Sequence, residues 1–462
     1  MVRLFSHYIP FSLLLRVLAE GLLLFLAIVA VTAWQAPDMT SDLGHVLLPA
    51  LVFSVLMTSI LSALGLYRAP GGNGFHHVVG RLLLAFLLGL PVAYVTFALL
   101  PHHDTSVRIL DLTICVGLGG ILILRATAFL RGTDKTVFAR RVMVIGTGRD
   151  AAELERTLSS PDFGGYSVIC YYPVGNKEHV CIAPESIISG DMSVLEAIRR
   201  HRIDEVVVAV KERRGGVLPL RELLDCKLHG ISVLDISTFY ERVTGQVRLE
   251  TLRASWLIYG EGFRQGAMRT LVKRVFDVVA SLLLLIVTLP VMLMAMLAIL
   301  IESGFPILYR QERVGQRGDI FKVCKLRSMY TDAESDGKPR WASAGDDRIT
   351  KVGRFIRKTR IDELPQILNV LKGDMSFVGP RPERPYFVDQ LSSQIPFYSV
   401  RHSVKPGITG WAQVRYSYGS SVEDAMKKLQ FDLYYVKNHT LFLDIVILFE
   451  TIRVVLSGHG AR

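Results

Sequence analysis

The chain has 462 residues, 53 Lys and Arg against 42 Asp and Glu, a formal net charge of +11, and 50% hydrophobic residues. It is too long for one ordinary core and apolar enough for a membrane protein, and its excess cation suits anionic lipid headgroups. The basic residues flank apolar runs without interleaved aromatics, which argues against nucleic-acid binding. The five cysteines contain no Cys-x-x-Cys, which argues against a zinc or redox motif and fits a reducing cytoplasm.

Four N-terminal stretches are long enough to span a bilayer as helices: approximately Phe11–Trp34, Leu43–Tyr67, Leu82–Leu100 and Leu110–Leu130. The first is too long for a cleaved signal peptide and further apolar runs follow it. Arg16 and Glu20 lie four apart in it and can pair on one helical face. The linker after the first span has no Lys or Arg. Arg68 and Arg81 follow the second, a lone Arg108 the third, and Arg131, Lys135, Arg140 and Arg141 the fourth. The excess of cations after the even spans predicts cytoplasmic ends for this bundle.

From Arg140 to Gly260 the pattern is α/β. Val142–Ile145, Ser167–Tyr172 and Glu205–Val210 read as strands separated by helical stretches, a Rossmann-like parallel arrangement. The Gly146-Thr147-Gly148-Arg149-Asp150-Ala151 turn could hold a pyrophosphate. The second strand ends in tyrosines and Pro173, without the acid that binds a dinucleotide ribose, so a structural or regulatory role is favoured.

A fifth apolar run covers 275–301 and contains Pro290, which kinks a helix. Arg264, Arg269, Lys273 and Arg274 precede it, and Arg310, Arg313 and Arg317 follow. A helix that enters, bends at Pro290 and returns keeps both clusters on one side, which predicts a re-entrant segment. The final stretch, Leu441–Leu456, carries Asp444, Glu450 and Arg453 and predicts an interfacial helix.

The last third carries an ordered set of motifs. They are Lys273-Arg274-x-x-Asp277, the Pro290-broken run, Arg310-Gln311-x-Arg313-x-Gly315, the run Lys322–Met329 and the Asp362-Glu363 dyad. Gly379-Pro380-Arg381-Pro382 and the run Lys405–Val414 complete the set. A carboxylate among guanidinium groups stays ionised, and can bind a divalent cation or attack phosphorus. Prolines on both sides of Arg381 fix a guanidinium suited to phosphate. Asp277 is expected to pair with Arg274 structurally. Trp411 suits the headgroup interface. His402 and His439 could act as acid–base groups.

From about Met268 to the C-terminus this order closely resembles the bacterial sugar transferase family, the monotopic phosphoglycosyl transferases. The layout resembles the larger members that initiate exopolysaccharide or O-antigen repeat units. The resemblance implies an N-terminal four-helix transmembrane bundle (1–135), a Rossmann-like α/β middle domain (136–262) and a C-terminal α/β catalytic domain (263–462) with a re-entrant membrane helix. It implies transfer of sugar-1-phosphate from a UDP-sugar to polyprenyl (undecaprenyl) phosphate, with release of UMP. In that family the residue matching Asp362 is the nucleophile and forms an aspartyl-phospho-sugar, and the residue matching Glu363 binds Mg²⁺. Arg357 and Arg381 match positions that hold phosphate or nucleotide, and Lys325 a lysine near the active site. The implied partners are the two substrates, membrane lipids and a second copy in a homodimer, with no nucleic acid. The implied location is the bacterial inner membrane, with catalysis on the cytoplasmic face.

Two other readings explain less. A nucleotide-sugar oxidoreductase commonly needs a Tyr-x-x-x-Lys pair, which is absent from this sequence. A lipid-gathering scaffold leaves the Asp362-Glu363 clustering without a purpose.

Overall fold

The computed structural model describes residues 2–4, 7–9, 11–35, 43–67, 75–98, 103–130, 139–160, 165–174, 179–188, 192–210, 218–249, 266–331, 333, 346–416, 419 and 421–457. The linker 36–42 and the orienting cations Arg68, Arg131, Lys135 and Arg264 lie outside these residues. The chain forms two compact units, one chiefly Tyr8–Val243 and the other chiefly Thr244–Arg462.

The first unit opens with four apolar helices, α1 (Phe11–Gln35), α2 (Leu43–Ala63), α3 (Phe75–Ala98) and α4 (His103–Leu130). Stretches of the first three (Leu13–Gln35, Val46–Ala63 and Val78–Thr96) are long and apolar enough to cross a membrane, and α4 adds a shorter apolar stretch, Leu112–Thr127. Leu24, Ile28, Phe53, Met57, Leu82 and Ile121 face one another inside the bundle, while Leu22, Leu26, Leu48 and Leu87 face outward. An apolar exterior is what a helix needs in lipid. Glu20 is held by Arg125 of α4 at 2.8 Å, and Arg125 also donates to the Leu66 carbonyl. A buried charge requires such a partner.

Four strands follow: β1 (Arg140–Ile145), β2 (Tyr166–Tyr172), β3 (Glu205–Val208) and β4 (Ser232–Asp235). They form one parallel sheet in the order β2-β1-β3-β4. Side chains alternate across a strand. Met143 and Ile145 of β1 pack with α6 (Val194–His201) and α7 (Leu220–Leu228). Val142 and Val144 pack on the other face with α5 (Arg149–Leu158) and α8 (Ile236–Thr244). Both faces are therefore covered, as a parallel sheet requires.

In the second unit α9 (Ala267–Ser303) runs through Pro290 as one helix of 37 residues and is apolar enough to cross a membrane. A hairpin of β5 (Leu308–Val314) and β6 (Ile320–Leu326) follows, then α10 (Lys351–Lys358), a 3₁₀ turn (Ile361–Gln366) and α11 (Ile367–Lys372). Next come β7 (Ser376–Val378), α12 (Pro385–Gln394), β8 (Gly407–Thr409) paired parallel to β7, and α13 (Trp411–Arg415). The unit ends with α14 (Val422–Asn438) and α15 (Leu441–Ser457).

One expectation is corrected here. Trp411 is 1% exposed, donates from Nε1 to the Gly245 carbonyl at 2.8 Å and stacks near Tyr434, so it belongs to the core and cannot sit among headgroups. The α15 helix packs one face into the core and leaves Ile445, Ile452 and Val455 exposed. Leu443 and Ile447 are fully buried, and its Asp444 is bound by Lys273 Nζ and Tyr435 OH, each at 2.7 Å. Those two bonds allow a carboxylate inside a packed helix.

Candidate active site

The dyad sits in the 3₁₀ turn after α10. Arg360, in the left-handed region at φ 60°, redirects the chain out of the helix, and Asp362 and Glu363 turn inward, each 8% exposed. The α10 N-terminus is capped by the Thr350 side chain on Gly353 N and by Glu302 of α9 on the Lys351 and Val352 N–H groups. Capping satisfies donors that have no partner within the helix. The other wall is β6. Asn369 of α11 accepts from Cys324 N and donates to the Lys322 carbonyl, which fixes the strand that presents Lys325.

Glu363 Oε1 receives Lys325 Nζ at 2.9 Å and Arg381 Nη2 at 2.6 Å. Its Oε2 has longer contacts, with Arg381 Nη1 at 3.4 Å and Arg360 at 3.6 Å. Burial works to raise the Glu363 pKa, but Arg381, Lys325 and Arg360 outweigh it and hold the carboxyl well below its usual range. Asp362 goes the other way. Burial, then the Glu363 charge, push it up to about 6 against the pull of Lys325, Arg357 and Arg360. Its Oδ1 is buried without a hydrogen-bond partner. One carboxylate is thus neutralised by cations, while its neighbour keeps an oxygen free for chemistry. Two acids whose environments drive their pKa values apart are suited to different roles.

The structure therefore brings Asp362, Glu363, Lys325 and Arg381 together. Arg357, half-buried at the end of α10, acts on Asp362 through its charge. Pro290 lies in α9, in its apolar middle. The expected Arg274–Asp277 pair is corrected. Arg274 donates to the Val370 and Leu371 carbonyls, capping α11. Asp277 accepts from Ser376 Oγ and Phe377 N, with Lys273 at 3.9 Å. Burial lowers both His402 and His439 to about 4, so both rings are neutral near pH 7 and neither is a general acid there. Arg360 is the site residue that sequence reasoning passed over. Its place three residues before Glu363 was the available signal.

Residues 268–458 match the family model described as bacterial sugar transferase. The chain is 38% identical over 300 residues to the UDP-N-acetylgalactosamine-undecaprenyl-phosphate N-acetylgalactosaminephosphotransferase of Aeromonas hydrophila, covering 65% of this chain and 67% of that one. It is 32% identical over 424 residues to a UDP-glucose:undecaprenyl-phosphate glucose-1-phosphate transferase of Klebsiella pneumoniae, covering 88% of each. With the undecaprenyl-phosphate galactose phosphotransferase of Salmonella typhimurium it shares 31% over 344 residues, 70% of each. On its motifs, its dyad and these relatives, the chain belongs to the bacterial sugar transferase family and is a phosphoglycosyl transferase.

Proposed function

We propose that this enzyme transfers sugar-1-phosphate from a UDP-sugar to polyprenyl (undecaprenyl) phosphate, releasing UMP, in two displacements at one phosphorus. Asp362 attacks the donor's β-phosphorus. The bond from that phosphorus to the bridging oxygen breaks, and UMP leaves with the electron pair. An oxygen of the lipid phosphate then attacks the aspartyl-phospho-sugar, forming the lipid diphosphate and returning the Asp362 carboxylate. The observation that carries this reading is the buried Asp362 oxygen without a partner, beside a carboxylate already neutralised by Lys325 and Arg381. Cations around the dyad let an anionic nucleophile approach an anionic diphosphate. Arg381 and Lys325 hold donor phosphate as well as Glu363, and Arg357 adds charge at longer range.

Among the described residues no set of three His, Cys, Asp or Glu side chains could hold a metal ion alone. Mg²⁺ needs only one or two carboxylates when substrate phosphates complete its shell, and Glu363, whose Oε2 has only longer contacts with Arg381 and Arg360, is the carboxylate that would hold it. When bound, Mg²⁺ would neutralise charge on the diphosphate oxygens.

The membrane geometry fits a lipid acceptor. Near its start, α9 is tied to α11 and β7 through Arg274 and Asp277. Near its end, Arg327 donates to the Ser303 and Gly304 carbonyls, and Glu302 caps α10. Between these anchors Leu283, Ile286, Val287, Leu293 and Met294 are exposed. Both ends held by one folded unit, with an apolar middle, support a re-entrant helix that keeps the dyad at the inner-membrane surface on the cytoplasmic side. The parallel-sheet domain is read as Rossmann-like and structural or regulatory. Its Gly146 has φ +112°, and a Cβ there would lie 3.0 Å from the Ala209 carbonyl, so packing accounts for that glycine. Assembly as a homodimer belongs to the same reading by resemblance.

The test is Asp362→Asn in membranes supplied with a UDP-sugar, polyprenyl phosphate and Mg²⁺. UMP release should fall at least about 1,000-fold. Mass spectrometry of wild-type enzyme quenched with donor alone should place a phospho-sugar on Asp362. Full turnover by the variant, or an adduct on another residue, would reject the mechanism.

A further inference from the structure

Arg381 lies between Pro380 and Pro382, neither of which has an N–H to donate. The segment must be held largely by its carbonyls. Four consecutive ones are taken. Pro380 O accepts from Gly407 N at 3.0 Å and Arg381 O from Arg401 Nη2 at 2.8 Å. Pro382 O accepts from Arg313 Nη1 at 3.0 Å and Glu383 O from Val314 N at 2.9 Å.

The bond to the Arg381 carbonyl has the most elaborate support. Arg401 belongs to a 3₁₀ turn, Tyr398–Ser403. Its Nη1 donates to Tyr398 OH at 2.6 Å, and its Nη2 pairs with Asp432 Oδ2 of α14 at 2.8 Å. Arg401, Asp432 and Tyr398 are all buried. A planar guanidinium can serve three acceptors in fixed directions, which an ammonium on a flexible stem cannot. The backbone of the phosphate-facing arginine is thus tied to α14 through one buried fork.

We propose that Arg401, oriented by Asp432 and Tyr398, is a positioning residue for Arg381. It fixes the backbone from which the Arg381 guanidinium reaches Glu363 and the donor diphosphate. This rests on the role proposed for Arg381. Arg401 itself touches neither substrate nor the dyad; it acts through the Arg381 carbonyl, and a small misplacement of a phosphate clamp is costly.

The experiment is a double-mutant cycle in the full-length membrane enzyme, reading kcat/KM for the UDP-sugar with Arg401→Lys, Arg381→Ala and the double variant. Arg401→Lys should lower kcat/KM by about 10–100-fold. The double variant should fall no more than about twofold below Arg381→Ala alone, because removing the clamp leaves Arg401 nothing to position. Losses that multiply would overturn the positioning role and leave Arg401 a general scaffold residue. Full turnover by Arg381→Ala would overturn the role of Arg381, and this proposal with it. If Arg401→Lys fails to fold, Asp432→Asn replaces it in the cycle. That variant loses the ion pair but keeps an acceptor of similar shape, and the same pattern decides.

Discussion

The tetrapeptide Arg-Ile-Asp-Glu occurs twice in this chain, at 202–205 and at 360–363. Both copies follow a helix, and both begin with an arginine in the left-handed region, at φ 48° and φ 60°. Their fates then separate. After Glu205 comes Val206-Val207-Val208, whose branched side chains suit a strand, and the segment becomes β3. After Glu363 comes Leu364-Pro365-Gln366, and the segment becomes a 3₁₀ turn. Asp204, just before the strand begins, is exposed and accepts from Arg141 N at 2.8 Å, while Glu205, the first strand residue, is buried with Arg242 at 2.5 Å and Ser232 Oγ at 3.1 Å. In the turn both carboxylates go inward together. Identical residues make a structural ion pair in one place and a buried pair of acids among cations in the other. The deciding variable is backbone geometry, which sets whether two acids share one environment.

Making the same change at both glutamates tests that difference most strongly. Glu363→Gln should reduce kcat/KM by roughly 100-fold or more, on the scale of losing one electrostatic group from a preorganised site. Its effect on stability should be small, because Lys325, Arg360 and Arg381 retain partial solvent access, at 19%, 35% and 30% of their side chains. Glu205→Gln should do the reverse. The buried Arg242–Glu205 ion pair would be lost, at a cost of about 3 kcal/mol in stability, while turnover per folded enzyme stays unchanged. Thermal unfolding and initial rates on both variants check this. Equal losses of activity would overturn the contrast between the two glutamates.

The unequal legibility of the molecule has the same origin. Apolar length reveals α1, α2, α3 and α9, because hydrophobic runs are local in sequence. The order of motifs, through the family it resembles, points to Asp362, Glu363, Lys325 and Arg381. What stayed hidden depends on pairing over distance. Glu20 finds Arg125 across 105 positions, Lys273 finds Asp444 across 171, and Trp411 finds the Gly245 carbonyl across 166. Without those partners the Asp444 charge reads as solvated, and a tryptophan in the C-terminal third suggests a headgroup anchor. An interrupted apolar pattern alone cannot tell a solvated charge from one that meets its counter-ion inside a core. The Arg401–Asp432 pair was missed for this reason too.

The mildest contrast uses the aspartates. Asp204→Asn removes a charge from an exposed side chain whose bond to Arg141 N can still be made by the amide oxygen. Exposed charge interactions contribute little, so stability should change by less than about 0.5 kcal/mol and UMP release should stay within about twofold of wild type. The chemically identical Asp362→Asn change meets a buried site where the lost oxygen is the proposed nucleophile. The two variants differ in backbone setting and not in the residues flanking them on the N-terminal side. If Asp204→Asn silenced UMP release as Asp362→Asn should, the turn geometry would lose its claim to be what makes one copy reactive. If both left turnover intact, the covalent step would have to be sought away from either tetrapeptide.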